Sequence, residues 1–272
     1  MSVRCKNGQQ LKAQSKSYDV LIAGSDQIWS PVWFNPAYYL DFADDVPKVS
    51  YAASLGVREI RSSIKRRKIR RLIQPYSAIS VREEEGAALL QSMTQKQVAV
   101  MPDPVMLLTR EQWAQIEKAP NQKEPYIVCY FIGNRDDYWD TVRQTAQSTG
   151  SRVVVIPVTD ASYHQGYELA EGLSPQEWLG MLHHAECVIT DSFHAAAFSV
   201  IFGTRLKVIR RYSEIDPASK NSRIDQLFRN IGLEFGTEET DSAVVTERLT
   251  ALRQQGLQYL QTAFEEIPGK RE

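Results

Sequence analysis

The 272 residues carry 32 lysines and arginines against 33 aspartates and glutamates, and a net charge of −1 gives no global pull toward nucleic acid or anionic membranes. An apolar fraction of 43% supports a sizeable core, in two domains or one large α/β domain, and excludes wholesale disorder. Three widely spaced cysteines, Cys5, Cys129 and Cys187, fit neither a disulfide framework nor a metal-ligand spacing; two lie inside apolar runs, which predicts buried thiols and a cytoplasmic, reducing setting. The first residues lack the apolar segment of a signal peptide, and no apolar run reaches the ~18 residues of a membrane span.

Along the chain, short apolar runs alternate with helical patterns. Runs of four to seven residues at 19–24, 49–53, 78–81, 98–101, 126–132, 153–158, 187–190 and 206–209 are rich in β-branched residues, as strands buried on both faces should be. Thr109–Gln112 and Ser174–Glu177 carry the capping-box pattern of helix starts, the second with Pro175 at the first helical position. This alternation predicts parallel strands with helices on both sides, an α/β chain in two halves. The polar stretch 119–125, with two prolines and no periodicity, is the expected joint, dividing the chain into 1–119 and 120–272. The segment Arg58 to Arg71 holds eight basic residues and one acidic one, with Ile60, Ile64 and Ile69 on a partial apolar face. It reads as a solvated helix whose other side meets the core, or as a peripheral contact with an anionic membrane. From Asp241 to Glu265 a long helical pattern carries Val244, Leu249, Leu252, Leu257, Leu260 and Phe264. The expectation is a last core helix, the alternative a helix packing back across the other half.

The run Cys187–Phe198 holds the chemistry. A buried strand ends in Thr190-Asp191-Ser192, and His194 then opens an alanine-rich helix. The start of a helix presents backbone N–H groups and the positive end of its dipole, a ready site for phosphate. Ser192 is either a phosphate donor or a plain helix cap, or both at once. A helix N-terminus disfavours an imidazolium, so His194 suits a base, or a donor to phosphate, better than a strong acid. Arg82, at the end of the 78–81 strand, and Arg223, at a helix start, are candidates for gripping anions, with surface ion pairs as the alternative. Asp26 follows the first strand and either orients a sugar hydroxyl, acts as a base, or caps the next segment. Trp29, Trp33 and Phe34 either stack on a sugar or form a packed loop. Asp103, between two prolines, reads as structural. His183 and His184 are explained as cations at a helix C-terminus, and His164 as a solvent-exposed loop residue. No glycine-rich dinucleotide fingerprint, carboxylate pair or histidine cluster calls for a cofactor or a metal.

Together these segments carry a resemblance. Gly24-Ser25-Asp26-Gln27-Ile28-Trp29 is similar to a signature of the polysaccharide pyruvyl transferase family. Six further elements follow in the family's order: Tyr51–Gly56, Ile79–Glu83, Pro102–Val105, Pro175–Leu179, Thr190–His194 and Asn221–Ile224. The resemblance implies two Rossmann-like halves, similar to the GT-B architecture, with the donor site in the C-terminal half. It implies transfer of a pyruvyl group from phosphoenolpyruvate to a saccharide acceptor, free or lipid-linked, in cell-surface polysaccharide biosynthesis. A cyclic ketal forms and phosphate leaves. Ser25 and Phe193, inside matching motifs, join Arg82, Ser192 and Arg223 as substrate-binding candidates, with His194 and Asp26 as catalytic ones. Phosphoenolpyruvate is the donor substrate and no cofactor is implied. The family begins with a further strand and helix before Asp19, so the N-terminal half is expected to lack its first β-α unit. Two other readings stay open: a sugar-nucleotide-dependent glycosyltransferase on the same architecture, and a truncated, non-catalytic relative. The expected location is the cytoplasm, or the inner face of the membrane.

Overall fold

The computed structural model describes residues 4–121, 124–212 and 221–267. They form two compact α/β units, Met1–Leu107 with Leu252–Glu272, and Leu108–Ala251. Each unit has its own parallel sheet.

The first unit opens with helix α1 (Gly8–Ser15), capped by Asn7, whose side chain accepts from the Gln10 N–H at 3.0 Å. Strands β1 (Leu21–Ala23) and β2 (Lys48–Ser50) follow, then α2 (Ser63–Ile73), β3 (Tyr76–Val81), α3 (Glu84–Gln91) and β4 (Val98–Val100). The spatial order is β1-β2-β3-β4, all parallel. One face of this sheet is filled by an aromatic and aliphatic core in which Trp29 stacks on Tyr39 at 5.1 Å and meets the edge of Tyr76 at 5.4 Å. Trp29 is therefore a core residue and Phe34 packs against it, whereas Trp33 is 61% exposed. Helix α2 buries Ile69, Leu72 and Ile73 and leaves its arginines and lysines on the solvent side. Ile64, expected on the apolar face, is exposed, because at about 100° per residue it stands roughly 140° around the helix from Ile69.

The second unit starts with α4 (Arg110–Ala114), then β5 (Tyr126–Tyr130), α5 (Asp137–Thr149), β6 (Arg152–Val155), the short α6 (Asp160–Tyr163), β7 (Glu168–Leu169), α7 (Pro175–His183), β8 (Cys187–Thr190), α8 (Phe193–Phe202), β9 (Arg205–Val208) and α9 (Ser222–Ile231). Its sheet runs β7-β6-β5-β8-β9. Ile127, Cys129, Val153, Val155, Cys187 and Ile189 share one face with Tyr138, Trp139 and Val142 of α5. Both predicted capping boxes, at Thr109 and Ser174, form. Strand β7 has no apolar run of its own; it is an edge strand of two residues, Glu168 and Leu169, paired with Val154 and Val155.

The joint lies at Leu107/Leu108 rather than at 119/120. The physical reason is Trp113 of α4, whose ring meets Phe198 of α8 at 4.9 Å, together with the Lys118 N–H, which donates to Gln176 O. These contacts bind the segment before the prolines to the second unit. The last helix, α10 (Ala243–Glu265), also departs from the expectation of a helix belonging to its own half. Its C-terminal part covers the first unit's second face, where Tyr259 and Leu260 pack with Tyr51, Ala52 and Met101, and the Tyr259 hydroxyl donates to Ser50 O at 2.9 Å. Val244 and Leu257 of the predicted stripe are exposed; Val245, Gly256 and Ala263 are the buried residues.

Candidate active site

In the second unit, β5 and β8 are the neighbours at which strand order reverses: β6 and β7 follow on one side, β9 on the other. In parallel α/β sheets the crevice beyond the strand C-termini at such a reversal is where ligands bind. Thr190, Asp191, Ser192 and His194 leave β8 at this place. Thr190 donates its hydroxyl to Tyr130 O of β5 at 2.5 Å and accepts from the Ser192 N–H at 3.0 Å. Ser192 is the N-cap of α8, its hydroxyl 3.5 Å from the Ala195 N–H. Phe193 is buried, and His194 is half-buried with its ring edge-on to Phe193 at 5.3 Å. The eight apolar or small residues that follow pack on β8 and β9 and fix the helix start in place.

Asp191 anchors this turn. Its wholly buried carboxylate accepts from Ile132 N–H and Gly133 N–H at 2.7 Å each, from the Tyr138 hydroxyl at 3.1 Å, and from Arg211 Nε at 2.9 Å. Arg211 also reaches Asp191 O, at 3.2 Å. Burial, with the nearby Asp191 charge adding to it, pushes the Tyr138 phenol up, so it stays a proton donor. Gly133 is required for close approach, since a Cβ there would lie 2.6 Å from Asp191 Oδ2 and 2.8 Å from the Tyr138 hydroxyl. A carboxylate holding two loop N–H groups on one side and a guanidinium on the other ties the β5–α5 loop, the β8–α8 turn and the segment after β9 together. Beside it, Arg210 pairs with Asp225 of α9 at 3.0 Å, and Asn221 donates to Tyr212 O at 2.8 Å. Arg223, half-buried, therefore stands at the start of a helix tied to the same post-β9 segment.

The first unit gathers a second group at its strand ends. Arg82, 4% exposed, bonds Asp103 Oδ2 through Nη1 at 2.5 Å, lies 3.4 Å from Glu83 Oε1 and 3.7 Å from Asp26 Oδ1. Burial works against its charge, but Asp103 and Glu83 outweigh it and hold the guanidinium above its ordinary value. The Ser25 hydroxyl donates to Asp103 Oδ2 at 2.9 Å, and the Ser54 hydroxyl to Glu83 Oε1 at 2.6 Å. Arg82 thus sits among carboxylates as an organiser, in the ion-pair alternative to an open anion grip. Asp26, with a largely exposed side chain, is the member of the group that faces water.

The family model for polysaccharide pyruvyl transferases matches residues 3–209. This chain belongs to the polysaccharide pyruvyl transferase family. No curated protein sequence matches it. Among solved structures, a Listeria monocytogenes protein assigned as UDP-N-acetylglucosamine 2-epimerase superposes with a TM-score of 0.54 at 11% identity, covering 98% of this chain and 76% of that one. The MnaA–UDP co-structure from S. aureus superposes with a TM-score of 0.50 at 12% identity, covering 96% and 73%. At such identities the likeness is one of fold: two parallel α/β units of the GT-B kind.

For this pyruvyl transferase family member the structure brings Ser192, Phe193 and His194 together in one unit, and Ser25, Asp26 and Arg82 in the other. Asp191, Arg211, Tyr138 and Gly133 are absent from the sequence-derived set. Asp191 lay inside a quoted motif, but its partners come from three segments, and only the fold shows that they converge. His164 is exposed and lies 3.6 Å from Asp160, as expected of a loop residue. Among the described residues, no helix is long and apolar enough to cross a membrane.

Proposed function

We propose that this chain transfers a pyruvyl group from phosphoenolpyruvate to a saccharide in cell-surface polysaccharide synthesis. Two sugar hydroxyls add in turn to C2 of the enol, the methylene carbon becomes a methyl group, and the C2–O bond to phosphate breaks. Of the two hydroxyl protons, one ends on the methyl carbon and the other on the departing hydrogen phosphate, so charge and atoms balance. The observation that carries this reading is the position of Ser192 and His194 at the head of α8, where the order of the sheet reverses. A helix start there favours a phosphate, and His194 is the base that takes a hydroxyl proton. Arg223 is the cation proposed to meet a substrate anion, Asp26 the carboxylate for a sugar hydroxyl, and Arg82 with Ser25 the support that orients it.

The test is phosphate release from phosphoenolpyruvate with a panel of saccharide acceptors. Release should require an acceptor and fall by about 10²–10⁴-fold in His194→Ala and His194→Gln. Undiminished release in both variants, or none from folded protein with any acceptor, refutes the reading. A uridine nucleotide that raises the melting temperature more than phosphoenolpyruvate would favour the glycosyltransferase alternative.

The exposed face of α2, with Arg67, Lys68, Arg70 and Arg71, is proposed as the contact with an anionic membrane surface that would bring the enzyme to a lipid-linked acceptor. Binding to vesicles containing anionic lipid should weaken with salt and disappear in the fourfold glutamate variant; equal binding to neutral vesicles overturns it.

A further inference from the structure

The reading of His183 and His184 as plain helix-end cations leaves out Glu117, which the fold brings to them from 66 residues away. The His183 Nδ1 lies 2.7 Å from Glu117 Oε2, and the His184 Nε2 lies 2.9 Å from Glu117 Oε1. One ligand atom from each of the three residues falls within 4.8 Å of the others. We propose that Glu117, His183 and His184 form a binding site for a divalent transition metal of the zinc class, a clip between the end of α7 and the segment after α4.

The donor set selects the metal. Two imidazole nitrogens and one carboxylate oxygen suit zinc, cobalt, nickel and copper, and do not suit magnesium or calcium, which take oxygen. Zinc bonds nitrogen and carboxylate oxygen at about 2.0–2.2 Å, so two ligands on one tetrahedral ion stand roughly 3.4 Å apart. The histidine–carboxylate separations of 2.7 and 2.9 Å, each to its own oxygen, would open by about 0.5–0.7 Å, and the widest ligand spacing, at most 4.8 Å, would close by up to about 1.4 Å, movements within the reach of side-chain rotation. Three protein ligands leave a fourth position for water, and His184, whose side chain is 44% exposed, opens that side to solvent.

The site is held in shape by its surroundings. The His183 ring stacks on Phe202 at 4.3 Å and 14°, which limits its rotation. The Thr204 hydroxyl donates to Leu182 O at 3.0 Å and fixes the backbone at the end of α7. Gly180 allows α7 to touch the Glu117 segment, since a Cβ there would meet Lys118 O at 2.1 Å. Lys118 N–H donates to Gln176 O, and its ammonium pairs with Glu177 at 2.6 Å. The Glu117 side chain is only 8% exposed, and a buried carboxylate of this kind needs compensation, which a bound dication supplies. The clip is separate from the proposed reaction site: His183 stacks on Phe202, the last residue of α8, and His194 is in its first turn, roughly 12 Å away along the helix.

The experiment uses the whole chain, treated with chelator, gel-filtered and titrated with zinc chloride by calorimetry, with thermal unfolding in parallel. One zinc per chain, a melting temperature that rises with zinc and not with magnesium, and the visible absorption of tetrahedral cobalt(II) are expected. Binding should be lost in Glu117→Gln and in His184→Ala; the second replaces a half-exposed ring and keeps the fold, as circular dichroism would verify. No stoichiometric binding by the folded wild type, or binding unchanged in folded His184→Ala, overturns the proposal and leaves the trio as histidine–carboxylate hydrogen bonds.

Discussion

Replacing Asp191 by asparagine asks whether one carboxylate holds the turn between β8 and α8. The side chain is wholly buried and has four donors: Ile132 N–H on Oδ1, and Gly133 N–H, the Tyr138 hydroxyl and Arg211 Nε on Oδ2. An asparagine offers one acceptor oxygen. It does best with that oxygen toward the three donors of Oδ2, which turns its NH2 against the Ile132 N–H. One buried N–H is then unsatisfied, at about 1–3 kcal/mol, and the charge on the Arg211 bond is lost. Breaking a fully buried ion pair costs about 3–5 kcal/mol, but Arg211 is 21% exposed and water screens part of its charge. The expected cost is therefore about 2–4 kcal/mol, or roughly 6–12 °C in the melting temperature of a unit this size. Thermal and urea unfolding followed by tryptophan fluorescence would read it, since Trp139 is buried 5.4 Å from Phe131 beside the affected loop. Arg211→Met should cost less than Asp191→Asn, and the double variant should fall short of the sum. An Asp191→Asn chain within about 0.5 kcal/mol of wild type would refute the reasoning, for strand pairing alone would then hold the turn.

Gly133→Ala should destabilise the same turn without changing any charge, because its Cβ would press into Asp191 Oδ2 and the Tyr138 hydroxyl; a wild-type melting temperature would show that the β5–α5 loop yields freely. Ser174→Ala removes a helix cap and should cost about 1 kcal/mol in denaturant unfolding, whereas Ser174→Asp should retain most of it. Glu177 is held down to about 2 by Lys118 and by the Ser174 N–H. Its folded value is depressed, so its contribution is complete above the ordinary carboxylate value near 4.5 and fades as pH falls from there toward 2; a pH titration of stability should lose that component in Glu177→Gln. Burial pushes the Cys187 thiol up to about 11 and the Cys129 thiol further, so at pH 8 an alkylating reagent should label Cys5 alone in native protein and all three in denaturant.

Much of the fold was legible in the residues, for reasons local to them. Strands buried on both faces need continuous apolar runs, and the eight such runs coincide with eight of the nine strands among the described residues, with ends displaced by at most three residues. Strand β7 escaped because an edge strand of two residues needs no run of its own. Helix starts were readable where a side chain accepts from the backbone N–H three positions on and the side chain there bonds back, as at Thr109 and Ser174. The turn after β8 was legible as well, since strand, cap and histidine are contiguous in Cys187–His194.

What tertiary structure alone decided is every relation between distant segments. An apolar stripe says that α10 must bury a face, not which unit receives it, and Tyr259 rather than Leu257 proved to be the contact. A guanidinium at a strand end says that an anion is near; that Arg82 meets Asp103, 21 residues on, depends on β3 lying beside β4. Asp191 with Arg211, and Glu117 with the two histidines, are separated by 20 and by 66 or more residues. Local propensity carries no information over such separations. The composition and order of the segments determined an α/β chain with parallel strands and a capped helix start at Ser192–His194; the packing of those segments decided which charges are neutralised inside the protein and which remain at its surface.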